Sequence, residues 1–548
     1  VLILIFNFSP NFKMRKKYII VTGWVISGIW KGVTTAATGF FLSERHKVVP
    51  IKLDGYLNID PGTMNPHEHG EVFVLADGAE VDMDFGHYER FLGWECTGTQ
   101  SISMGKIYAG ILEKERRGDF LGKTVQMIPH VTDHICDRIE DVFSQVWGDI
   151  CMIEIWGTVW DIEAELYLEA IRQMKRRKRK EDFLHIHLTY VPIPGWVQEQ
   201  KTKPTQQSVN LLQSRGLFPD IIVARWKVKL TKSSREKIAL FSNLKEDRVF
   251  SIPDVPSIYT IPWILKKQKL DSLICGKLNI WYQESEKFHL WEKTLTHPQE
   301  KITHIGIVGK YTALEDSYSS VVEALKHVGH LLWTKIEISF IDTRKKDGIE
   351  AVKKCDGCIV PGWFGDTAVE NMITTLEYIR ENKIPCLGIC LGMQLMSIEY
   401  ARNILWISQA NSLEFDKSCA PYDIITLLDS QKNIVNLWGT MRLGKQKSIL
   451  QDGQIKDLYE QSNRINKNSV IEERFRHRYE VHPDFVTKLS GTDFLVSGVS
   501  KKEGIVQFME MKEDVHPYYV GTQSHPELTS RLEDPAPLFV GLIKACLK

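Results

Sequence analysis

The chain has 548 residues, 43% of them hydrophobic and 25% charged, which suits two to four ordinary globular domains. Its 69 basic and 69 acidic residues cancel, so neither nucleic acid nor a membrane surface is expected as a partner. Ten scattered cysteines lack the spacing of a disulfide scaffold and fit a reducing, cytoplasmic setting, and no apolar run is long enough to span a bilayer.

The chain opens on VLILIFNF, too short and too uncharged at its start for a signal peptide. Met14-Arg15-Lys16-Lys17 directly precedes a buried-strand pattern at 18–22, so residues 1–13 read as a non-native or disordered extension and Met14 as the start. From there to Leu278, strand-like runs at 18–22, 48–53, 151–155, 185–191 and 220–224 alternate with longer helical patterns, the signature of a parallel sheet wrapped by helices. The stretch from Thr22-Gly23 to Lys31-Gly32 follows the first strand and opens a helix. That position suits a phosphate cradle of backbone N–H groups, with Lys31 reaching the anion. The basic run 175–180 follows a helical pattern at 163–174 and reads as a solvated helix end.

Residues 279–302 carry few apolar repeats and read as a linker. A second block, 303–548, begins with the strand pattern at 305–308 and a turn at Gly309-Lys310-Tyr311. Cys355 and Cys358 form a single C-x-x-C, read as the approach to a strand rather than a metal site. Cys390 lies in Gly388-Ile389-Cys390-Leu391-Gly392, where glycines permit a sharp strand-to-helix turn that exposes the thiol, and the helix N-terminus beyond favours the thiolate. His525-Pro526-Glu527 follows about 135 residues later. His525 is the expected base, with Glu527 holding its tautomer.

This second block resembles a class I glutamine amidotransferase, and the chain upstream resembles the synthetase domain of the CTP synthase family. The resemblance spans 14 to about 544 and is carried by Lys52-Leu53-Asp54, residues 58–74, 86–91 and 114–119, Lys201-Thr202-Lys203-Pro204-Thr205-Gln206, and residues 439–444. It implies two doubly wound α/β domains: a P-loop-like amidoligase over 14–278 and a class I glutaminase over 303–548. The implied reaction is ATP-dependent amination of UTP to CTP with ammonia from glutamine. Mg²⁺ is the implied metal, GTP an activator, CTP a feedback inhibitor, and the assembly a homotetramer. Two other readings remain open: an impaired homologue serving as a structural or filament subunit, and a glutaminase-only enzyme.

Residue by residue, the resemblance places ATP at Gly28, Ile29, Lys31, Gly32, Val33, Lys52, Asp84, Asp254 and Val255, with Asp84 and Glu154 on the metal. It places UTP or CTP at Ser27, Asp161, Ile162, Glu163, Lys201, Thr202, Lys203, Pro204, Thr205, Gln206 and Lys237. Glutamine falls to Gly362, Trp363, Leu391, Gly392, Met393, Gln394, Glu414 and Arg478, with His69 and Val72 near the mouth of an ammonia tunnel.

The chain departs from the family in one consistent way. Trp24, Trp30, Trp156, Trp160, Trp363, Trp406 and Trp438 stand where the family has glycine. Glycine is used where φ is positive or a ligand comes close. Tryptophan at such sites is expected to strain the phosphate loop and, at Trp363, the oxyanion hole. The shared product points to a codon-level event, since Gly and Trp codons can differ by one base: UGA read as Trp, a damaged gene copy, or sequencing error. Other departures are Gly55, Phe475, Thr367-Ala368, Ser524 and Leu528.

Overall fold

The computed structural model describes residues 15–24, 30–65, 69–196, 199–283, 286–310, 315–344, 348–362, 368–427 and 441–548. The chain divides into two compact units. The first comprises residues up to Asp60, His87–Trp94 and Thr99–Glu292; the second comprises Pro61–Gly86, Glu95–Gly98 and Lys293–Lys548.

The first unit is built on seven strands: β1 (Lys17–Gly23), β2 (Val48–Asp54), β3 (Ser101–Ser103), β4 (Ile150–Ile155), β5 (Phe183–Tyr190), β6 (Ile221–Trp226) and β7 (Val249–Pro253). The five strand runs expected here lie within two residues of these bounds. All neighbouring pairs are parallel, in the order β3-β2-β4-β1-β5-β6-β7. Every residue of β1, β2 and β4 is buried, which is why these segments read as continuous apolar runs rather than alternating ones. Strand order reverses around β1, so its carboxyl end lies at the switch point where open α/β sheets bind ligands. Helix α1 (Lys31–Leu42) starts beyond that end.

The expected linker holds a helix, Glu286–Thr296, whose Trp291 is buried at 2% exposure. The Trp291 ring lies 4.4 Å from Phe40 and 5.2 Å from Phe91, and Phe91 stacks on Tyr259 at 5.4 Å. Burying such a ring stabilises by roughly 1.5–3 kcal/mol, so much of the stretch belongs to the first unit's core. The basic run ends the helix Glu165–Arg177, as a solvated terminus should: Arg177 pairs with Asp133 at 2.8 Å and Lys178 with Glu140 at 2.6 Å.

The second unit carries a nine-stranded sheet: β8 (Lys301–Gly309), β9 (Thr334–Asp342), β10 (Gly357–Val360), β11 (Cys386–Ile389), β12 (Arg442–Leu450), β13 (Val470–His477), β14 (Phe494–Ser500), β15 (Val506–Met511) and β16 (Tyr519–Thr522). The order is β9-β8-β10-β11-β16-β15-β14-β12-β13, parallel from β9 to β16 and antiparallel beyond. Cys358 lies within β10, so the C-x-x-C does lead into a strand. Residues 61–86 pack into this unit although the synthetase resemblance covers them. Lys445 N–H donates to Ala76 O at 2.9 Å, Arg476 Nε to Glu80 Oε1 at 2.8 Å, and a Cβ on Gly444 would lie 2.5 Å from the Gly78 nitrogen.

Five of the seven glycine-to-tryptophan positions lie among the described residues; Trp363 and Trp438 lie outside them. Positive φ occurs at Trp30 (61°) and Trp406 (58°), but not at Trp24, Trp156 or Trp160. The expectation of backbone strain therefore narrows to two of the five. Two further tryptophans that the sequence did not flag, Trp147 (53°) and Trp333 (55°), also sit in the left-handed region, each just past a helix end where glycine is usual. Ala368, at φ 71° before the helix Val369–Glu381, is a similar case.

Candidate functional site

β11 ends at Ile389, and helix α2 (Leu391–Asn403) begins one residue after Cys390. Cys390 occupies the turn between them with φ 56° and ψ −108°, a sparsely populated conformation that aims a side chain out of the strand-to-helix junction. The flanking glycines are required by contact. A Cβ on Gly392 would lie 2.1 Å from Val360 O, and one on Gly388 would lie 2.8 Å from the Gly392 carbonyl carbon. Cys390 N–H donates to Thr522 O at 2.6 Å, pinning the turn to the end of β16.

The same strand carries the chain to His525, whose N–H donates to Arg474 O at 2.7 Å. His525 Nδ1 lies 2.7 Å from Glu527 Oε1, and Glu527 is only 4% exposed. Among the described residues Nε2 has no other hydrogen-bond partner, which leaves it available to the thiol. Burial works against a charged imidazole, but the Glu527 carboxylate and the Cys390 sulfur outweigh it and raise His525 to about 10. The structure thus brings together the three residues picked from the sequence, in an arrangement suited to a nucleophile, a base and an orienting carboxylate.

They face a cavity of about 360 Å³ that Gly362, Leu391, Gln394, Glu414 and Arg478 also line. Five of the expected glutamine residues therefore converge there. Met393 faces the other way: a Cβ on Gly521 would lie 2.6 Å from its Cγ, and it is fully buried. Gly392 serves the turn. Tyr479, which the sequence reading missed, sits between the polar groups. Its phenol is raised by burial and by Glu414, and eased back by Arg478. Val72 lines the cavity, whereas His69 pairs with Asp82 at 3.6 Å. Two of the departures meet beside the base, since Phe475 bridges Ser524 and is fully buried.

In the first unit, Ser27, Gly28 and Ile29 lie outside the described residues. Lys31, at the start of α1, donates to Ile155 O at 2.7 Å and Gly157 O at 2.6 Å, and burial lowers it to about 8. Gly32 and Val33 follow it, buried in the first turn. Lys52 Nζ lies 3.8 Å from both Glu154 and Asp54, and Tyr88 donates to Glu154 Oε2 at 2.6 Å. These carboxylates are hard oxygen donors at the ends of adjacent parallel strands, the chemistry Mg²⁺ prefers. Among the described residues no group of three or more His, Cys, Asp or Glu is placed to hold a metal, and Mg²⁺ commonly uses only one or two carboxylates plus substrate phosphates. Asp84 opens a helix, Asp84–Leu92, that begins in the second unit.

Asp254 pairs with Arg225 at 2.5 Å, Val255 follows in the same turn, and the Arg225 guanidinium covers the Trp30 ring at 3.6 Å. Trp30 thus leans toward the segment expected on the adenine side. Trp156 packs its ring 6.4 Å from Tyr56, and Trp160 is exposed.

On the pyrimidine side, Asp161 accepts from Thr158 N–H at 2.5 Å, while Ile162 and Glu163 are exposed beside it. Lys201 donates to Glu199 Oε2 at 2.7 Å, and the Lys237 charge acts on the same carboxylate, so the two expected lysines share one neighbourhood. Lys203 and Pro204 open the helix Lys203–Ser214, and Gln206 Nε2 donates to Thr202 Oγ1 at 3.0 Å. Thr205 is buried against Tyr190 O at 3.3 Å.

Comparison with known proteins places both units. Residues 17–280 match the family description "CTP synthase N-terminus", and residues 313–545 match "Glutamine amidotransferase class-I". A CTP synthase of Archaeoglobus fulgidus is 45% identical over 97% of this chain and 98% of its own length. One of Borreliella burgdorferi is 45% identical over 98% and 100%, and one of Bacillus licheniformis 44% over 97% and 99%. A solved glutaminase domain of Trypanosoma brucei CTPS with bound acivicin is 30% identical, covers 45% of this chain and 94% of its own, and superposes with a TM-score of 0.41.

Proposed function

The chain belongs to the CTP synthase family, and from that premise we propose how its residues divide the work. It is a glutamine-hydrolysing ligase that converts UTP to CTP with ATP as co-substrate. The observation that carries the assignment of roles is the single cavity onto which Cys390, His525, Glu527, Gln394, Glu414 and Arg478 all open.

Cys390 Sγ attacks the side-chain carbonyl carbon of glutamine, and His525 gives its proton to the departing ammonia, leaving a glutamyl thioester. Water, deprotonated by the same imidazole, then releases glutamate and restores the thiol. Arg478 suits the substrate carboxylate and Glu414 its ammonium group.

In the first unit, ATP phosphorylates O4 of UTP, and ammonia displaces that phosphate. Lys31 and Lys52 neutralise the transferring phosphates; Lys201 and Lys237 hold those of UTP. Glu154 would be the Mg²⁺ ligand that this unit supplies, while Asp84 is assigned by resemblance alone. The metal, when bound, neutralises phosphate charge during transfer. Activation by GTP, inhibition by CTP, a tetrameric assembly and a cytoplasmic setting are further proposals that rest on the family.

The test is one assay with four arms: UTP, ATP and Mg²⁺ with glutamine or with ammonia, each with wild type and Cys390→Ala. CTP from both nitrogen sources in wild type, and from ammonia alone in the variant, is the expected result. Glutamate release without CTP would leave only a glutaminase, and no turnover in any arm would overturn the reading.

A further inference from the structure

Gln523 lies two residues before His525 and is fully buried. No role was read for it in the sequence. Its Nε2 lies 3.5 Å from Cys390 Sγ, within reach of a hydrogen bond to sulfur. An amide can be turned either way, so the question is which end faces the thiol. The surrounding bonds answer it. Tyr479 O is a backbone carbonyl and can only accept. Gln394 lies 3.0 Å from it and must therefore present Nε2 there. The second N–H of that nitrogen points at Gln523, 2.9 Å away, which must present its oxygen in return. With its oxygen committed to Gln394, Gln523 has only N–H left to offer Cys390. A relay of fixed polarity thus runs from a main-chain carbonyl through two buried amides to the nucleophile. The Gln523 main chain is held as well, its N–H donating to Gln507 O at 2.8 Å.

A second hydrogen-bond neighbour of the sulfur has the opposite preference. Arg476 O lies 3.6 Å from Sγ, where a thiol can donate to it and a thiolate would be repelled. Among the described residues, Gln523 and His525 both favour a negative sulfur. We propose that Gln523 is a further catalytic residue of the glutaminase: its side-chain N–H stabilises the Cys390 thiolate, and Gln394, besides lining the cavity, locks that donor in place. The same donor receives sulfur again as the thioester is hydrolysed and the thiolate departs, so both halves of the reaction benefit. Substrate need not touch Gln523, which is absent from the cavity wall.

This inference rests on Cys390 being the nucleophile, and the experiment separates the two claims. Gln523→Glu keeps the oxygen that Gln394 donates to and replaces the donor with an acceptor; Gln523→Met keeps the volume and removes both. Three readouts are taken on the full chain: the rate of Cys390 alkylation by iodoacetamide, kcat and KM for glutamine hydrolysis, and CTP synthesis from ammonia. One hydrogen bond to a charged group changes an equilibrium by about tenfold or more. Alkylation at pH 7 should therefore slow by about tenfold in both variants, with Gln523→Glu at least as slow as Gln523→Met and the deficit narrowing as pH rises. kcat should fall with it, KM should stay within about twofold, and ammonia-dependent synthesis should be unchanged. Alkylation at the wild-type rate in both variants, or a loss confined to KM, would overturn the proposal. If wild type hydrolyses no glutamine, the functional reading fails while the alkylation comparison still judges Gln523.

Discussion

His525 Nδ1 and Glu527 Oε1 are 2.7 Å apart in a pocket where Glu527 is almost wholly buried. In the proposed mechanism this carboxylate orients the imidazole, leaves Nε2 for the thiol and stabilises the imidazolium. Glu527→Gln should lower kcat for glutamine hydrolysis by about 100-fold or more, with ammonia-dependent CTP synthesis retained. Steady-state assays with the two nitrogen donors check this; equal losses in both would mean a folding defect.

The same pair makes stability depend on alkaline pH. His525 is raised from 6.5 to about 10, so the folded chain binds this proton more tightly than the unfolded one. Its contribution is complete below about pH 6.5 and is lost as pH rises toward 10. Urea midpoints measured across that window should fall less steeply in Glu527→Gln than in wild type.

Acid should act on the first unit through two buried histidines. Thr22 Oγ1 lies 2.9 Å from His185 Nε2 and 2.8 Å from His187 Nδ1, and His187 Nε2 meets Ser208. Burial and then the nearby Lys31 charge lower His187 to about 3, and burial and then His187 lower His185 well below its ordinary range. Both stay neutral in the folded state while the unfolded chain takes protons near pH 6.5. Stability should decline as pH falls from 6.5, by up to about 1.4 kcal/mol per unit for each histidine. Denaturant titrations of wild type and His187→Asn between pH 7 and 5 read this, with a shallower slope expected for the variant.

Trp147 and Trp406 hold positive φ while 74% and 85% exposed, so their rings return little burial for the strain. Trp147→Gly and Trp406→Gly should each stabilise by about 1 kcal/mol and add when combined. A rise in urea midpoint at unchanged slope is the expected reading; destabilisation would mean that these rings pack in solution.

Trp30 combines positive φ with a cap of Arg225 at 3.6 Å, and Arg225 also holds Asp254. Trp30→Gly relieves the strain and frees the guanidinium. KM for ATP should fall by about tenfold, the worth of a partly desolvated cation–π contact. Glutamine hydrolysis without nucleotide should not change.

Much of the fold could be read in advance, because the parallel strands are buried on both faces and appear as uninterrupted apolar runs. β1 and β4 fell within a residue of their expected bounds for that reason. The helix Glu286–Thr296 was missed because its contribution to the core is two aromatic side chains, Phe288 and Trp291, too few to set up a periodic stripe. The grouping of 61–86 with the second unit was also invisible. It depends on pairings such as Gly444 against Gly78, which lie hundreds of residues apart.

By itself the sequence determined the chemistry on offer. A thiol stood in a glycine-flanked turn, a His-x-Glu could serve it, and lysines and carboxylates suited nucleotide phosphates. Only the tertiary structure decided which groups meet. The parallel register that sets Ile389 beside Thr522 puts Cys390 next to Gln523 and His525 across more than a hundred residues. Backbone torsions, which no residue letter carries, decided which of the five described substituted tryptophans are strained.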